Sequence, residues 1–276
     1  MSILLAVVAG ALIGLSLGAL GGGGSILAVP VLVYALGQSP AQATTGSLVV
    51  VGTTSLIGAL TAFRAGTVLL GRGVVFGLVA VGGAALGAHA SARVPEPVLL
   101  GAFAALMVVV GGLMATRQVR AARSGGAAGR QVERAAIDDP IISFSPTFAC
   151  QCPRALKVLV TATAVGLLTG FLGVGGGFLV VPALLLALAV PMGYAAGTSL
   201  VVITLTSAAA LAVRTGIGVA PDWGVVLVLT AASAAAGFVG ARLGQRIDTR
   251  HLTSAFTVLV LTVAGYTAFR AVPALL

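Results

Sequence analysis

Two long stretches of the chain contain no charged side chain and no histidine. They are residues 2–63 and 158–213. A helix that spans a bilayer needs about 20 apolar residues, so each stretch is long enough for more than one crossing. Only 8% of the chain is charged, whereas soluble domains carry about 25% charge. The sequence therefore predicts an all-α, polytopic membrane protein.

A glycine-rich segment interrupts each of these stretches. Residues 14–30 and 166–182 lie 166 − 14 = 152 positions apart and are identical at ten of seventeen positions without a gap. Each glycine costs a helix about 1 kcal/mol relative to alanine. The motif therefore predicts that each half opens with a helix that is broken, or re-entrant, at Gly21–Gly24 and again at Gly173–Gly177.

The repeat continues beyond the glycines, because Ser47 matches Ser199 and Thr54-Ser55 matches Thr206-Ser207. We therefore expect two homologous transmembrane repeats, at residues 1–116 and 158–276. The segment 117–157 between them holds seven of the fifteen basic residues. Basic residues in short loops remain in the cytoplasm, so this linker is predicted to be cytoplasmic.

The sequence leaves two orientations of the repeats open. If each broken block crosses the membrane once, each half has four crossings and the halves are parallel. If each block folds back, each half has three crossings and the halves are inverted. The inverted arrangement places twelve of the fifteen basic residues on the linker side, and the parallel one places eleven. We favour inversion, which is common among transporters.

The two breaks together predict a substrate site near the centre of the membrane. A helix that restarts after a break presents free N–H groups and the positive end of its dipole, which suit an anion. The alternative is that the glycines only allow helices to pack closely. This alternative suits Gly14 and Gly18 better than the consecutive glycines. The predicted substrate-binding residues are Gly21, Gly22, Gly23, Gly24, Ser25, Ser47, Gly173, Gly175, Gly176, Gly177, Thr198 and Ser199.

Two arginines, Arg64 and Arg214, end equivalent helices and are candidates for a pore mouth. Their alternative role is to extend to the membrane surface, as arginines near helix ends commonly do.

Other features exclude several classes of function. No Asp or Glu falls within a predicted span, whereas ion pumps commonly have carboxylates there. The sequence also contains no phosphate-binding loop of the Walker type. Cys150 and Cys152 lie far from His89 and His251, so neither a metal nor a cofactor is expected. The net charge is +9, and many of the basic residues lie in the linker, where they indicate membrane topology. We therefore expect no nucleic-acid partner.

The paired glycine motifs, with Ala195–Leu200, Asp139-Pro140 and Gly240–Gly244, resemble the TauE/SafE family of sulfite exporter-type permeases. The resemblance implies a transporter of the bacterial inner membrane. Its expected partners are the lipid bilayer and a small anion such as sulfite or an organosulfonate, and a homo-oligomer is compatible with it. Export of an anion from an inside-negative cell is downhill by about 2.3 kcal/mol per charge per 100 mV.

Two other functions are alternatives to export. One is an importer of a small organic anion, coupled to Na⁺ through carbonyl groups at the breaks. The other is an intramembrane hydrolase that uses Ser25 and His89. A nucleophile needs a base within hydrogen-bond reach, and nothing in the sequence brings these two together. Gly177 also stands where the second repeat would need the serine. We therefore expect no enzymatic activity.

Overall fold

The computed structural model describes most of the chain as helices. The described residues are 2–91, 94–123, 152–172, 177–186, 188, 190–215, 221–244, 251, 254–255 and 257–266. Every regular element within them is helical, and five helices are long and apolar enough to cross a membrane. The predicted all-α class is therefore confirmed. Most of the linker, including Cys150, and Gly173, Gly175 and Gly176 lie outside the described residues.

The first half contains five helices. They are α1 (Ser2–Leu20), α2 (Ser25–Pro30, which continues as a π-helical turn over Val31–Ala35), α3 (Pro40–Arg64), α4 (Leu70–Ser91) and α5 (Glu96–Arg123). The last of these continues past Thr116, where the spanning segment was expected to end. The extension is rich in alanine, arginine and glutamine, which are strong helix formers.

The second half contains five further described helices. They are α6 (Cys152–Leu172), α7 (Gly177–Leu186), α8 (Met192–Thr215), α9 (Trp223–Gly244) and α10 (Thr257–Tyr266). Two pairs match closely in their bounds. Helix α8 begins 152 residues after α3 (192 − 40), and α9 begins and ends 153 residues after α4 (223 − 70 and 244 − 91).

Local sequence explains how α3 begins and ends. The Ser39 hydroxyl accepts a hydrogen bond from the Gln42 N–H, and the Gln42 side chain accepts one from the Ser39 N–H. Pro40 occupies the first helical position, where its missing N–H has no cost. Glycines with φ near +70° stand on both sides of the helix, at Gly37 and Gly66. The sequence Gly37-Gln38-Ser39-Pro40 is typical of a turn, and the structure has one there.

Glycines bring two pairs of helices into direct backbone contact. A Cβ at Gly14 or Gly18 of α1 would lie 2.1 or 2.2 Å from a carbonyl oxygen of α9. A Cβ at Gly166 or Gly170 of α6 would lie 2.0 or 1.9 Å from a carbonyl oxygen of α4. Only glycine allows such an approach, as in other membrane helices. The close-packing interpretation of Gly14 and Gly18 is therefore correct.

The central pair of helices, α3 and α8, is antiparallel. Gly58 packs on Leu200, Gly52 on Ser207, and Thr44 is bonded to Arg214, so the numbers rise on one helix as they fall on the other. Helix α3 also packs on α9, and α8 packs on α4. The outward faces carry large apolar side chains, such as Leu4 (72% exposed) and Leu86 (68% exposed), which suits contact with lipid.

Replacing Gly83 with alanine is expected to destabilise the contact between α4 and α6. The added Cβ would lie 2.4 Å from the carbonyl oxygen of Thr163, whereas at the neighbouring Gly82 it meets no described atom within 4 Å. Overpacking costs about 1–3 kcal/mol, but alanine at an open helical position stabilises by up to about 1 kcal/mol. The melting temperature in detergent should therefore fall for Gly83→Ala and hold or rise for Gly82→Ala. Equal melting temperatures would contradict this packing.

Candidate functional site

The first glycine break lies in the interior of the protein. Gly21 has φ +69°, a conformation that residues with a side chain rarely adopt, and this ends α1. Residues 21–25 are all buried. A Cβ at Gly24 would lie 2.3 Å from the carbonyl oxygen of Ile13 and 2.4 Å from the amide nitrogen of Leu17. The segment after the break therefore lies against the middle of α1.

The carbonyl groups of this break are hydrogen-bonded. The N–H groups of Ser25, Ile26 and Leu27 donate to the carbonyl oxygens three residues earlier, at 3.2, 3.4 and 3.1 Å. The Ser25 hydroxyl also donates to the carbonyl oxygen of Gly22, at 2.7 Å. The Ser25 proton is thus directed at the backbone, and His89 lies exposed on α4. This arrangement does not favour the hydrolase interpretation.

Of the four amide groups of this break, only that of Gly21 has a hydrogen-bond acceptor among the described residues, the carbonyl oxygen of Leu17 at 2.9 Å. Within the described part of the chain, the N–H groups of Gly22, Gly23 and Gly24 donate no hydrogen bond. They lie just before α2, and the π-helical turn that follows it begins directly after Pro30. Because proline has no N–H, one hydrogen bond of the helix is missing at Pro30, and the hydrogen-bond register changes there. The break therefore combines paired carbonyl oxygens with three unpaired donors.

The first break meets the end of the second, where α7 begins. A Cβ at Gly22 would lie 2.3 Å from the carbonyl oxygen of Gly177, and a Cβ at Gly177 would lie 2.7 Å from the Ser25 hydroxyl oxygen. The Ser199 hydroxyl on α8 donates to the carbonyl oxygen of Gly21. The structure thus brings together Gly21, Gly22, Ser25, Gly177 and Ser199 from both halves of the chain.

These contacts are tight. At Gly21, backbone atoms of Ala196 lie 2.3 Å from the position of a Cβ. At such separations no ligand atom fits between the two backbones, so any substrate requires the breaks to move apart. An open apolar depression lies elsewhere, on the exposed face of α6 that carries Leu159 and Leu167.

Two other predicted residues have separate roles in this structure. The Thr198 hydroxyl accepts a hydrogen bond from the Leu69 N–H at 3.0 Å, which ties the α3–α4 loop to α8. The Ser47 hydroxyl is buried on α3 and donates to the carbonyl oxygen of Thr44 at 2.9 Å.

The two predicted pore-mouth arginines differ. Arg64 is exposed at the end of α3. Arg214 is half-buried and turns into the bundle, where its two terminal nitrogens donate to the hydroxyls of Thr44 (2.9 Å) and Ser91 (2.8 Å). The geometry of Arg64 suits a side chain at the membrane surface. Sequence reasoning did not single out Ser91.

Other buried polar groups were also missed or undervalued. Three hydroxyls, those of Thr54, Ser55 and Ser207, have no hydrogen-bond partner within the described structure, and neither has the side-chain amide of Gln38. The serine and threonine pairs were visible in the sequence only as a match between repeats, and nothing distinguished Gln38. Among the described residues, no three His, Cys, Asp or Glu side chains lie close enough to hold a metal.

The family model described as "Sulfite exporter TauE/SafE" matches residues 6–267. The chain belongs to this family. Two relatives of the TauE/SafE protein, from Xylella fastidiosa strains 9a5c and Temecula1 / ATCC 700964, are each described as "Probable membrane transporter protein". Each is 30% identical over 276 residues, which cover 98% of this chain and 96% of the relative. No solved structure matches this TauE/SafE chain.

Family membership and the helices together make this TauE/SafE protein a multi-pass membrane transporter. The expected resemblance is thereby confirmed. Neither the substrate nor the residues that bind it follow from the comparisons.

Replacing Ser199 with alanine should loosen the junction between α8 and the first break. The change removes the donor to the Gly21 carbonyl oxygen, which is buried. Loss of such a bond costs about 1–3 kcal/mol. Ser16→Ala is the matched control, because the Ser16 hydroxyl only donates to the carbonyl oxygen four residues earlier in its own helix. The melting temperature should fall more for Ser199→Ala than for Ser16→Ala, and the reverse order would refute the junction.

Proposed function

We propose that this protein exports sulfite, an organosulfonate or a related small oxyanion. The substrate binds where the two glycine breaks meet, near the centre of the membrane. The observation that supports this most is that the N–H groups of Gly22, Gly23 and Gly24, in buried backbone beside Gly177, have no acceptor among the described residues. An unpaired backbone group in a membrane interior costs several kcal/mol. A bound anion would accept from these donors and remove that cost.

The distribution of charge supports an anion rather than a cation. The carbonyl oxygens of the first break already accept hydrogen bonds from Ser199, Ser25, Ile26 and Leu27. No described helix carries an acidic residue between its first turn and its end. The break therefore offers donors without competing acceptors. Anions bind to such amides at helix starts.

We further propose that the two halves form an inverted repeat. The equivalent helices α3 and α8 run antiparallel, as an axis in the membrane plane requires. Equivalent contacts recur, because a Cβ at Gly87 would meet the carbonyl oxygen of Leu167 and one at Gly240 would meet that of Leu15. The contact between Gly24 and the middle of α1 supports a re-entrant fold of each broken block.

The same arrangement predicts which groups share a side of an inner membrane. Helix α4 returns from the end where α3 finishes, and α5 crosses back to that end before the linker begins. Arg64 then lies on the cytoplasmic side with the basic linker, and Arg214 lies on the outer side. An inside-negative potential of 100 mV would drive a singly charged anion outward with about 2.3 kcal/mol.

One observation favours the importer as a second candidate. The unpaired hydroxyls of Thr54, Ser55 and Ser207 lie on the central helices α3 and α8. Hydroxyl oxygens can coordinate a small cation such as Na⁺, which an importer of anions would need as a coupling ion. Dependence of transport on Na⁺ distinguishes the two candidates.

The transport proposal is tested by sulfite efflux from proteoliposomes with an imposed potential. Efflux should need no Na⁺ and should rise when the vesicle interior is negative. Gly22→Ala should lower it about tenfold or more, since displacements of ~1 Å near a site cost up to about 100-fold. Gly71→Ala is the control, because its Cβ would meet no described atom within 4 Å.

Protein that is monodisperse and melts as the native chain does, but moves no sulfite, would overturn the exporter proposal. Efflux or uptake that requires Na⁺ would favour the importer. Equal efflux for the two glycine variants would remove the site from the breaks and leave transport itself standing.

Topology has its own test with two matched cysteine variants. In a background with Cys150→Ser and Cys152→Ser, cysteine is placed at Gly37 or Gly66, which both have positive φ and open surroundings. A membrane-impermeant maleimide added to whole cells should label position 37 and spare position 66 until the cells are opened. Labelling of both from outside, or the reverse pattern, would contradict the proposed orientation.

A further inference from the structure

The positive charge of Arg214 faces the interior of the bundle, and one of its three nitrogen atoms has no hydrogen-bond partner among the described residues. One terminal nitrogen donates to the Thr44 hydroxyl and the other to the Ser91 hydroxyl. Its Nε atom is shielded from solvent and has no hydrogen-bond partner among the described residues. The Nε–H and the N–H of the adjacent terminal nitrogen form one face of the guanidinium fork, which matches two oxygens of an oxyanion. That face is only half used here.

The described residues provide Arg214 with no negative charge. Its partners are two neutral hydroxyls, and both of these donate their own protons to carbonyl oxygens one turn earlier, at Ala41 and Ala88. A charged group inside a protein is costly unless an opposite charge or several hydrogen bonds compensate it. Among the side chains that the structure describes, the cluster of Arg214, Thr44 and Ser91 therefore holds a positive charge without an acidic partner.

The equivalent positions of the other half are apolar. At the offset of 152 that relates α3 to α8, Arg214 corresponds to Ala62 and Thr44 corresponds to Ala196. At the offset of 153 that relates α4 to α9, Ser91 corresponds to Gly244. The structure agrees with this match, since Ala62 packs against Gly197. The polar cluster thus exists at one end of the bundle only.

We propose that Arg214, Thr44 and Ser91 form a binding site for an oxyanion at one end of the bundle, the end opposite Arg64. This deepens the proposed function and rests on it for the identity of the anion as substrate. The incoming anion replaces a hydroxyl as acceptor of the guanidinium donors. The present bonds have a charged donor and a neutral hydroxyl acceptor, whereas an oxyanion would bring the opposite charge and could accept from two donors of the guanidinium at once, so the exchange is favourable. The exchange also removes a hydrogen bond between α8 and a helix of the first half.

The surroundings favour a dissolved anion over the phosphate of a lipid headgroup. Thr44 is 1% exposed and Ser91 is 7% exposed, so the hydroxyls that Arg214 meets lie within the bundle. A side chain that served lipid headgroups would extend outward, as the exposed Arg64 does.

The site is tested by melting of the purified protein in detergent, titrated with sodium sulfite or sodium sulfate against sodium chloride at equal ionic strength. The oxyanions should stabilise the native chain. Arg214→Gln should weaken this effect about tenfold or more in half-stabilising concentration, the loss expected for a hydrogen bond to a charged group. Arg242→Gln is the matched control, because Arg242 is exposed and stacks on Phe238.

Ser91→Ala separates binding from a purely structural role. This variant should melt lower than the native chain without anion, since Arg214 loses an acceptor. It should respond to a concentration of sulfite about three- to tenfold lower, because the anion no longer competes with a hydroxyl. If Arg214 had only a structural role, Ser91→Ala would melt lower but would not respond to a lower concentration of sulfite. That result would overturn the site.

Two further results would refute the proposal. One is an equal response of the native chain, Arg214→Gln and Arg242→Gln to sulfite. The other is a stabilisation that depends on Arg214 and is produced by phosphatidylglycerol in the micelles but by neither sulfite nor sulfate. Binding that depends on Arg214 in protein that moves no sulfite would keep the anion site and reject the transport function.

Discussion

Backbone that leaves helical geometry inside a membrane has to find its hydrogen-bond partners within the protein. The segment Gly21–Gly24 meets this constraint unevenly. Its carbonyl oxygens accept from Ser199, from Ser25 and from the first turn of α2, while three of its N–H groups stay unpaired among the described residues. In the proposed anion site, these N–H groups provide the donors for an anion without any charged side chain.

The glycine contacts on the outside of the bundle hold this centre in place. Helix α1 is pressed onto α9 and α6 onto α4, at separations that exclude any side chain. Each contact joins a helix of one half to a helix of the other. The central helices α3 and α8 are therefore flanked by these interlocked pairs, and the first break lies against Gly177 at the start of α7. Relative movement of the two halves would open the contact between Gly22 and Gly177.

Much of this arrangement could be predicted from the residues. The all-α class follows from the stretches without charge, and the turn before α3 follows from Gly37-Gln38-Ser39-Pro40. The two arginines were harder to interpret. Arg64 and Arg214 look equivalent because each precedes a glycine by two residues, but at the offset that relates α3 to α8 Arg214 corresponds to Ala62. Two positions along a helix are about 200° around it, and this separates an outward arginine from an inward one.

The sequence by itself determined that the chain is a helical membrane protein and that its first helix ends at the glycines after Leu20, because composition and glycine act locally along the backbone. It also determined the likeness between the halves, which is a property of the residues alone. Only the tertiary structure decided that α3 and α8 run antiparallel, that Gly22 lies against Gly177, and that Arg214 meets Thr44 and Ser91. These contacts join residues more than 100 positions apart. Their formation depends on how whole helices pack, which no local pattern specifies.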